Sequence, residues 1–362
     1  MNLFVIGTPL QLLNAIEARH ALNLTDNHLV LVTDYNHTPE TGVWSRLVCA
    51  ADWETVHYLE LRDARREFRH RYVPELLRGK LSNYLQHYYQ YGNKVRVDRL
   101  AREFPAVDYL VLGNYHGDYG RHFANRLKYR CLCLVDDGTG VLLINEERKE
   151  RRENGGTASG SRGSWWMRLK GNARKSILMW DVRQARNLLF FTAYDIEVPR
   201  EDQLVRNDYS HFKKQIAPST GHESGMFLGQ CLVRDGYMSQ LTYLDYLRRV
   251  RCHFGTRPLV YVPHPREPES LVNEIGRDLG FVIRKFDVPI EWQLMKDASR
   301  PSVLASFFCS ALISCRLIYG ADLKLKAFQI KDEDVMKWPD LVRSAYAYFS
   351  GLSGPSIEVV PL

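Results

Sequence analysis

MNLFVIGTPLQLLNAIEAR, Met1 to Arg19, is the stretch whose reading decides the fold. Leu3 to Ile6 is an unbroken apolar run that reads as a strand, and Gly7-Thr8-Pro9 breaks it. From Pro9 onward the apolar residues recur at helical spacing, with Thr8 placed as an N-cap and Pro9 at the first helical position. A strand that turns straight into a helix is the first part of a βα unit. The pattern recurs downstream in "HLVLVTDY" (28–35), in a helical region rich in Tyr and Arg from about Asp63 to Phe104, and in "VDYLVLGNY" (107–115). A helix near Gly120 to Leu127 and "RCLCLVDDGTG" (130–140) follow. Such alternation predicts a parallel sheet with helices on both faces.

A second series starts near Met226. It runs from the strand "MFLGQCLV" (226–233) through the helix 238–254 and the strand "PLVYV" (258–262) to the helix 268–280 and the strand "FVIRKF" (281–286). The stretch 300–320 then reads as a turn, a helix and a further strand, so Ser302, Ser306 and Ser310 are expected to precede or open a helix. Two βα series with an irregular joint between them predict an α/β protein of two Rossmann-like domains facing across a cleft. The expected division is 1–220 and 221–362, with a basic mobile insertion near 145–185 and a final helix returning toward the N-terminal domain. The chain has 362 residues, which suits two cores better than one.

Composition removes several function classes. The formal charge of +7 is spread over many segments, so no nucleic-acid partner is expected. Neither G-x-G-x-x-G nor a P-loop occurs, which takes the usual support from dinucleotide and P-loop readings. The seven cysteines show no zinc-type spacing and sit largely in apolar runs, which fits buried thiols and a reducing cytoplasm. The N-terminus lacks a basic leader, and no run approaches the roughly 20 apolar residues of a membrane span. Trp165 and Trp166, beside Arg168 and Lys170, fit either peripheral contact with an anionic membrane face or ordinary packing.

Three expected strand ends gather polar chemistry. Asp136-Asp137-Gly138-Thr139-Gly140 pairs two carboxylates whose mutual repulsion can raise one pKa toward that of a useful base, or it is simply a glycine turn. Asp235 follows the strand at Met226 and is otherwise an Asp-Gly turn. In "PLVYVPHPRE" (258–267), His264 stands between two prolines that restrict its backbone, so its imidazole is aimed. Ser306 and Ser310, with helix amides near them, suit a phosphate, whereas Ser302 suits a cap.

In that order, "LVDDGTG", "FLGQ" with Asp235, "YVPHPRE" and "SFFCSAL" resemble the motifs of bacterial sialyltransferases of the lipooligosaccharide type, glycosyltransferase family 52. The resemblance covers nearly the whole chain and is most specific at the His-Pro and Asp-Asp-Gly-Thr-Gly segments. It implies a metal-independent GT-B enzyme that forms homodimers and has no cofactor, the CMP-activated sialic acid being a substrate. The donor, or a related CMP-nonulosonate, is held mostly by the C-terminal domain. A galactose-ended glycan reaches the N-terminal domain. The implied catalytic residues are His264, Asp235 and Asp137. Asp235 corresponds to the family's base and is preferred; related families use the second acid of Asp-Asp-Gly, here Asp137. Donor contacts are implied at Asp136, Gly138, Gly229, Pro265, Ser306 and Ser310, and acceptor contacts at Thr8 and Gln11. A GT-B transferase using another nucleotide sugar, such as CMP-Kdo or a UDP-hexose, is the alternative. A non-catalytic membrane-associated assembly protein built around the Trp-Trp loop is a third reading.

Overall fold

The structure, a computed structural model, describes residues 1–33, 41–62, 75–153, 180–218, 222–352 and 357–362. The chain divides into two compact units, Met1–Asn207 and Asp208–Leu362. The division falls ahead of the expected 220/221 because the intervening segment packs with the second unit. Phe212 meets Trp292 edge-on with ring centroids 5.4 Å apart, and the Ala217 N–H donates to the Met295 carbonyl at 3.1 Å.

In the first unit the elements are β1 Asn2–Ile6, α1 Pro9–Ala21, β2 Asn27–Thr33, α2 Thr41–Leu47, β3 Thr55–Glu60, α3 Glu75–Ala101, β4 Val107–Leu112, α4 Asp118–Arg126, β5 Tyr129–Val135, α5 Gly140–Glu153, β6 Leu189–Thr192 and β7 Gln203–Arg206. Every pairing is parallel, in the order β3-β2-β1-β4-β5-β6-β7. A parallel sheet covered on both faces needs strands apolar throughout, and every residue of β1 is buried. Burial of side chains such as Leu3, Phe4 and Ile6 contributes about 1.5–3 kcal/mol each. Thr8 Oγ1 accepts the Gln11 N–H at 3.2 Å and Pro9 opens α1, as the sequence predicts. Helix α5 runs on through Asn145 to Glu153, into the region expected to be a mobile insertion. Its Arg148 is buried, forks onto Asp202 and donates to the Ala185 and Arg186 carbonyls, which fixes the helix in the unit.

The second unit comprises α6 Ser210–Lys213, β8 His222–Leu228, α7 Gln240–Phe254, β9 Leu259–Val262, α8 Glu269–Leu279, β10 Val282–Ile283, α9 Ile290–Lys296, β11 Pro301–Ser306, α10 Ala311–Tyr319, β12 Lys324–Gln329, α11 Pro339–Gly351 and β13 Ile357–Pro361. This sheet is also parallel, ordered β10-β9-β8-β11-β12-β13. Ser302 and Ser306 lie on β11, not at a helix start as expected. Val303, Leu304 and Ala305 pair with β8 on one side and β12 on the other, and both ladders together outweigh the helical reading. The core centres on Phe227, which touches Tyr261, Phe307 and Phe328.

Among the described residues no helix is long and apolar enough to cross a membrane. Trp165, Trp166 and the basic residues beside them lie outside the described residues.

Candidate functional site

In an open parallel sheet, ligands sit beyond the carboxyl ends of the strands where the strand order reverses. The reversal falls at β1 and β4 in the first unit and at β8 and β11 in the second. Each unit therefore has its own rim of this kind.

On the first rim, the loop after β1 is held from inside. Gln11 is 1% exposed, and its Oε1 accepts the Gly7 N–H at 2.7 Å. This expected acceptor contact is thus occupied in shaping the turn, while Thr8 caps α1. The buried Asn14 donates to the Asp136 carbonyl at 3.0 Å and so ties α1 to the exit of β5. Gly138 has φ of 61°, a conformation that favours glycine in the Asp-Asp-Gly turn.

The two acids of that turn face different surroundings. Asp136 is 3% exposed, its Oδ2 accepts the Ala193 N–H at 2.7 Å, and its Oδ1 is buried with no partner among the described residues. Burial pushes its pKa up to about 7 against the hydrogen bonds from Ala193 and Thr192; the neighbouring Asp137 charge is the smallest contributor. The raised carboxyl is therefore the first acid, and desolvation raises it far more than pair repulsion does. Asp137 is exposed, at the edge of a pocket of about 330 Å³ including its open mouth. Leu112, Val135, Val141 and Ile144 give that pocket an apolar lining, and Asn114 and His116 join Asp137 as its polar groups. Desolvation holds the His116 pKa below its ordinary value, opposed by the charges of Glu147 and Asp137 and by a hydrogen bond to the Gly140 backbone.

On the second rim, the sequence Pro263-His264-Pro265-Arg266-Glu267 forms a tight turn after β9. The Glu267 N–H donates to the His264 carbonyl at 2.9 Å, with Pro265 in the position a turn favours for proline. Glu267 closes the turn from below, because its Oε2 accepts the His264 N–H at 2.6 Å. Its Oε1 accepts from the Tyr261 hydroxyl at 2.7 Å and the Tyr243 hydroxyl at 3.3 Å. Burial raises Glu267 to about 7, and the three hydrogen bonds oppose the rise. A Cβ at Gly229 would overlap Glu267 Oε2 and the Tyr261 hydroxyl, so only glycine lets this carboxylate lie against β8.

The imidazole's tautomer follows from its neighbours. The Arg266 N–H can only donate, and it points at His264 Nδ1 at 3.1 Å. Cys231 Sγ stands 3.1 Å from the same nitrogen, and burial raises its thiol to about 11, so it is an S–H. Nδ1 is accordingly the acceptor and Nε2–H the ring's donor.

The expected base Asp235 and the remaining expected donor contacts divide. Asp235 Oδ2 pairs with the Arg266 guanidinium at 3.2 Å, which brings the Asp235 loop and the His264 turn together. The Arg234 guanidinium donates to the Arg266 carbonyl at 3.0 Å, and Lys337 Nζ to the Asp235 carbonyl at 3.3 Å. Three cations thus surround this loop. Ser306 is fully buried and donates to the Leu228 carbonyl at 2.8 Å, which ties β11 to β8 and keeps it from the surface. Ser310 stands at the start of α10 and makes no side-chain cap bond, and Pro265 is exposed. Sequence reasoning missed Glu267, Tyr261, Tyr243, Cys231 and His116. Glu267 and Tyr261 had a signal, their place in the His-Pro stretch.

Among solved structures, the chain is similar to Arabidopsis thaliana UGT89C1 complexed with UDP, at 10% identity over 99% of this chain and 85% of that one, with a TM-score of 0.50. It is also similar to an alpha/beta-galactoside alpha-2,3-sialyltransferase from the luminous marine bacterium Photobacterium phosphoreum, at 10% identity over 99% and 98% of the two chains, TM-score 0.47. The E. coli heptosyltransferase WaaC with ADP-2-deoxy-2-fluoro heptose gives 11% identity over 91% and 88%, TM-score 0.40. No protein-family model and no curated protein matches the chain. At such identities the likeness is one of fold, two parallel α/β units of the GT-B glycosyltransferase type.

Proposed function

We propose that the protein is an inverting glycosyltransferase that moves sialic acid or a related nonulosonic acid from a CMP donor to a surface glycan. The observation that supports the reading is the His264 turn on the second unit's rim, its Nδ1 fixed by the Arg266 N–H and its loop joined to Asp235, Arg234 and Lys337. The acceptor hydroxyl attacks the anomeric carbon, the bond from that carbon to the phosphate oxygen breaks with its electron pair going to CMP, and a base takes the hydroxyl proton. A phosphate monoester has its second pKa near 6, so at neutral pH the departing CMP needs its charge stabilised more than it needs a proton. An Nε2–H donor, together with cations held on the adjoining loops, meets that need.

For the base, the surroundings favour Asp137 over Asp235. The Asp235 carboxylate is already engaged by the Arg266 guanidinium. Asp137 borders a pocket with an apolar lining and a polar edge, which suits a sugar acceptor. Asp235 then holds Arg266 in place. Incubation with CMP-sialic acid and galactose-ended acceptors should release CMP and form product, with Asp137→Asn losing turnover more than Asp235→Asn. No CMP release from any CMP-nonulosonate would defeat the reading, and the reverse ranking of the variants would move the base to Asp235. The proposal includes a homodimer and peripheral contact with the inner membrane face, which sedimentation and vesicle flotation test in turn.

A further inference from the structure

Among the described residues, Trp338 and Tyr209 are the two non-glycine residues of the second unit at positive φ, and of the two only Trp338 is exposed. Its φ of 54° and ψ of 53° put a bulky aromatic residue in the left-handed region, and Pro339 follows it. Both circumstances disfavour this backbone, since side chains crowd at positive φ and a following proline pushes a residue toward extended conformations. Burial offers no compensation, because Trp338 is 58% exposed. A backbone held in an unfavourable conformation by its surroundings, with its ring turned largely to solvent, points to a ligand.

The surroundings that hold it belong to the rim already described. The Met336 N–H donates to the Tyr237 carbonyl at 2.7 Å, and Lys337 Nζ donates to the Asp235 carbonyl at 3.3 Å. The same Nζ lies 4.2 Å from the Trp338 ring centroid, and Tyr237 meets the indole edge to face at 5.9 Å. Segment 336–338 is thereby laced to the loop after β8, whose Asp235 pairs with Arg266 of the His264 turn. An exposed aromatic ring stands in one contact network with the cations Lys337 and Arg266.

We propose that the Trp338 indole is the platform on which the base of a nucleotide stacks, with the phosphate directed to Arg266 and Lys337. This rests on the reading that the rim takes a nucleotide. Stacking uses the π-face that every base has, so the platform sets affinity and leaves base identity to other groups.

The test is calorimetric binding of CMP, UMP and ribose 5-phosphate to the full-length protein and to Trp338→Ala and Trp338→Phe. Trp338→Ala should weaken both nucleotides about 10- to 100-fold and leave ribose 5-phosphate unchanged. Trp338→Phe keeps a ring and should retain most of the affinity. Unchanged CMP binding in Trp338→Ala overturns the platform and leaves the donor reading standing. So does an equal loss for ribose 5-phosphate, since the indole would then act without the base. Tighter binding of UMP than CMP, with the same dependence on Trp338, overturns the CMP donor and upholds the platform. Absence of binding by both nucleotides overturns both.

Discussion

His264 and Asp136 show how differently two residues of one chain are prepared. The imidazole is fixed through its acceptor nitrogen by a backbone N–H, which leaves its other nitrogen as the donor. General acid and hydrogen-bond groups of this kind contribute about 10²- to 10⁴-fold, so His264→Ala should lose turnover by that order in a CMP-release assay. A loss under threefold would remove it from the chemistry. Asp136 instead carries a pH prediction. It ionises near its ordinary value in the unfolded chain and only at about 7 in the folded one. Between about pH 4 and pH 7 the folded state therefore holds the extra proton, and stability falls as pH rises through that window. Asp136→Asn keeps an acceptor for the Ala193 N–H without the charge. Its melting temperature relative to the parent protein should rise from about pH 5 to about pH 8. Glu267, shifted in the same direction, drops out of the comparison because both proteins contain it. A difference that is the same at both pH values would show that Asp136 is ionised in the folded protein throughout.

At the scale of the element, the His-Pro turn stands on a buried hydrogen-bonded base formed by Glu267, Tyr261 and Tyr243. Glu267→Ala removes acceptors for three donors and should destabilise the protein by about 2–4 kcal/mol in denaturant titration while lowering turnover at least tenfold. Glu267→Gln can still accept from the His264 N–H and donate to a tyrosine hydroxyl, so it should recover most of both. Gly229→Ala is the complementary test. Its methyl meets the same carboxylate, and overpacking of this kind costs about 1–3 kcal/mol. Turnover unchanged in both Glu267→Ala and Gly229→Ala would mean that the turn holds its shape without this support. The motif on top of the turn was legible in the sequence because prolines act locally. The support was not, since Tyr243 comes from α7 and Gly229 from the end of β8, and only the parallel register brings them to Glu267. The same limit explains Ser306. A short apolar run carries no period that separates a strand from a buried helix, and only the two flanking ladders decide in favour of β11. β1 with α1 was readable because its cap, its proline and its apolar spacing all agree.

At the scale of the whole molecule, the two parallel units were foreseeable from alternation alone. The strands β3, β6 and β7 were not: β6 and β7 have four residues each, β3 buries only one of its six, and each finds its place only beside a neighbour already in the sheet. On the proposed reading, what the molecule transfers is settled by which nucleotide it retains. A ligand that binds only the folded state stabilises it by RT ln(1 + [L]/Kd), about 2.7 kcal/mol at a hundredfold excess over Kd. That is enough to move a melting temperature by several degrees in a protein of this size. CMP should produce the shift, and UDP or GDP at equal concentration should produce less. His264→Ala should reduce the CMP shift, because the phosphate loses a donor, whereas Asp137→Asn should leave it intact because Asp137 lies on the first unit's rim. A larger shift with UDP would assign the protein a different sugar donor on the same fold. An equal loss of the CMP shift in both variants would show that nucleotide retention depends on residues of both units.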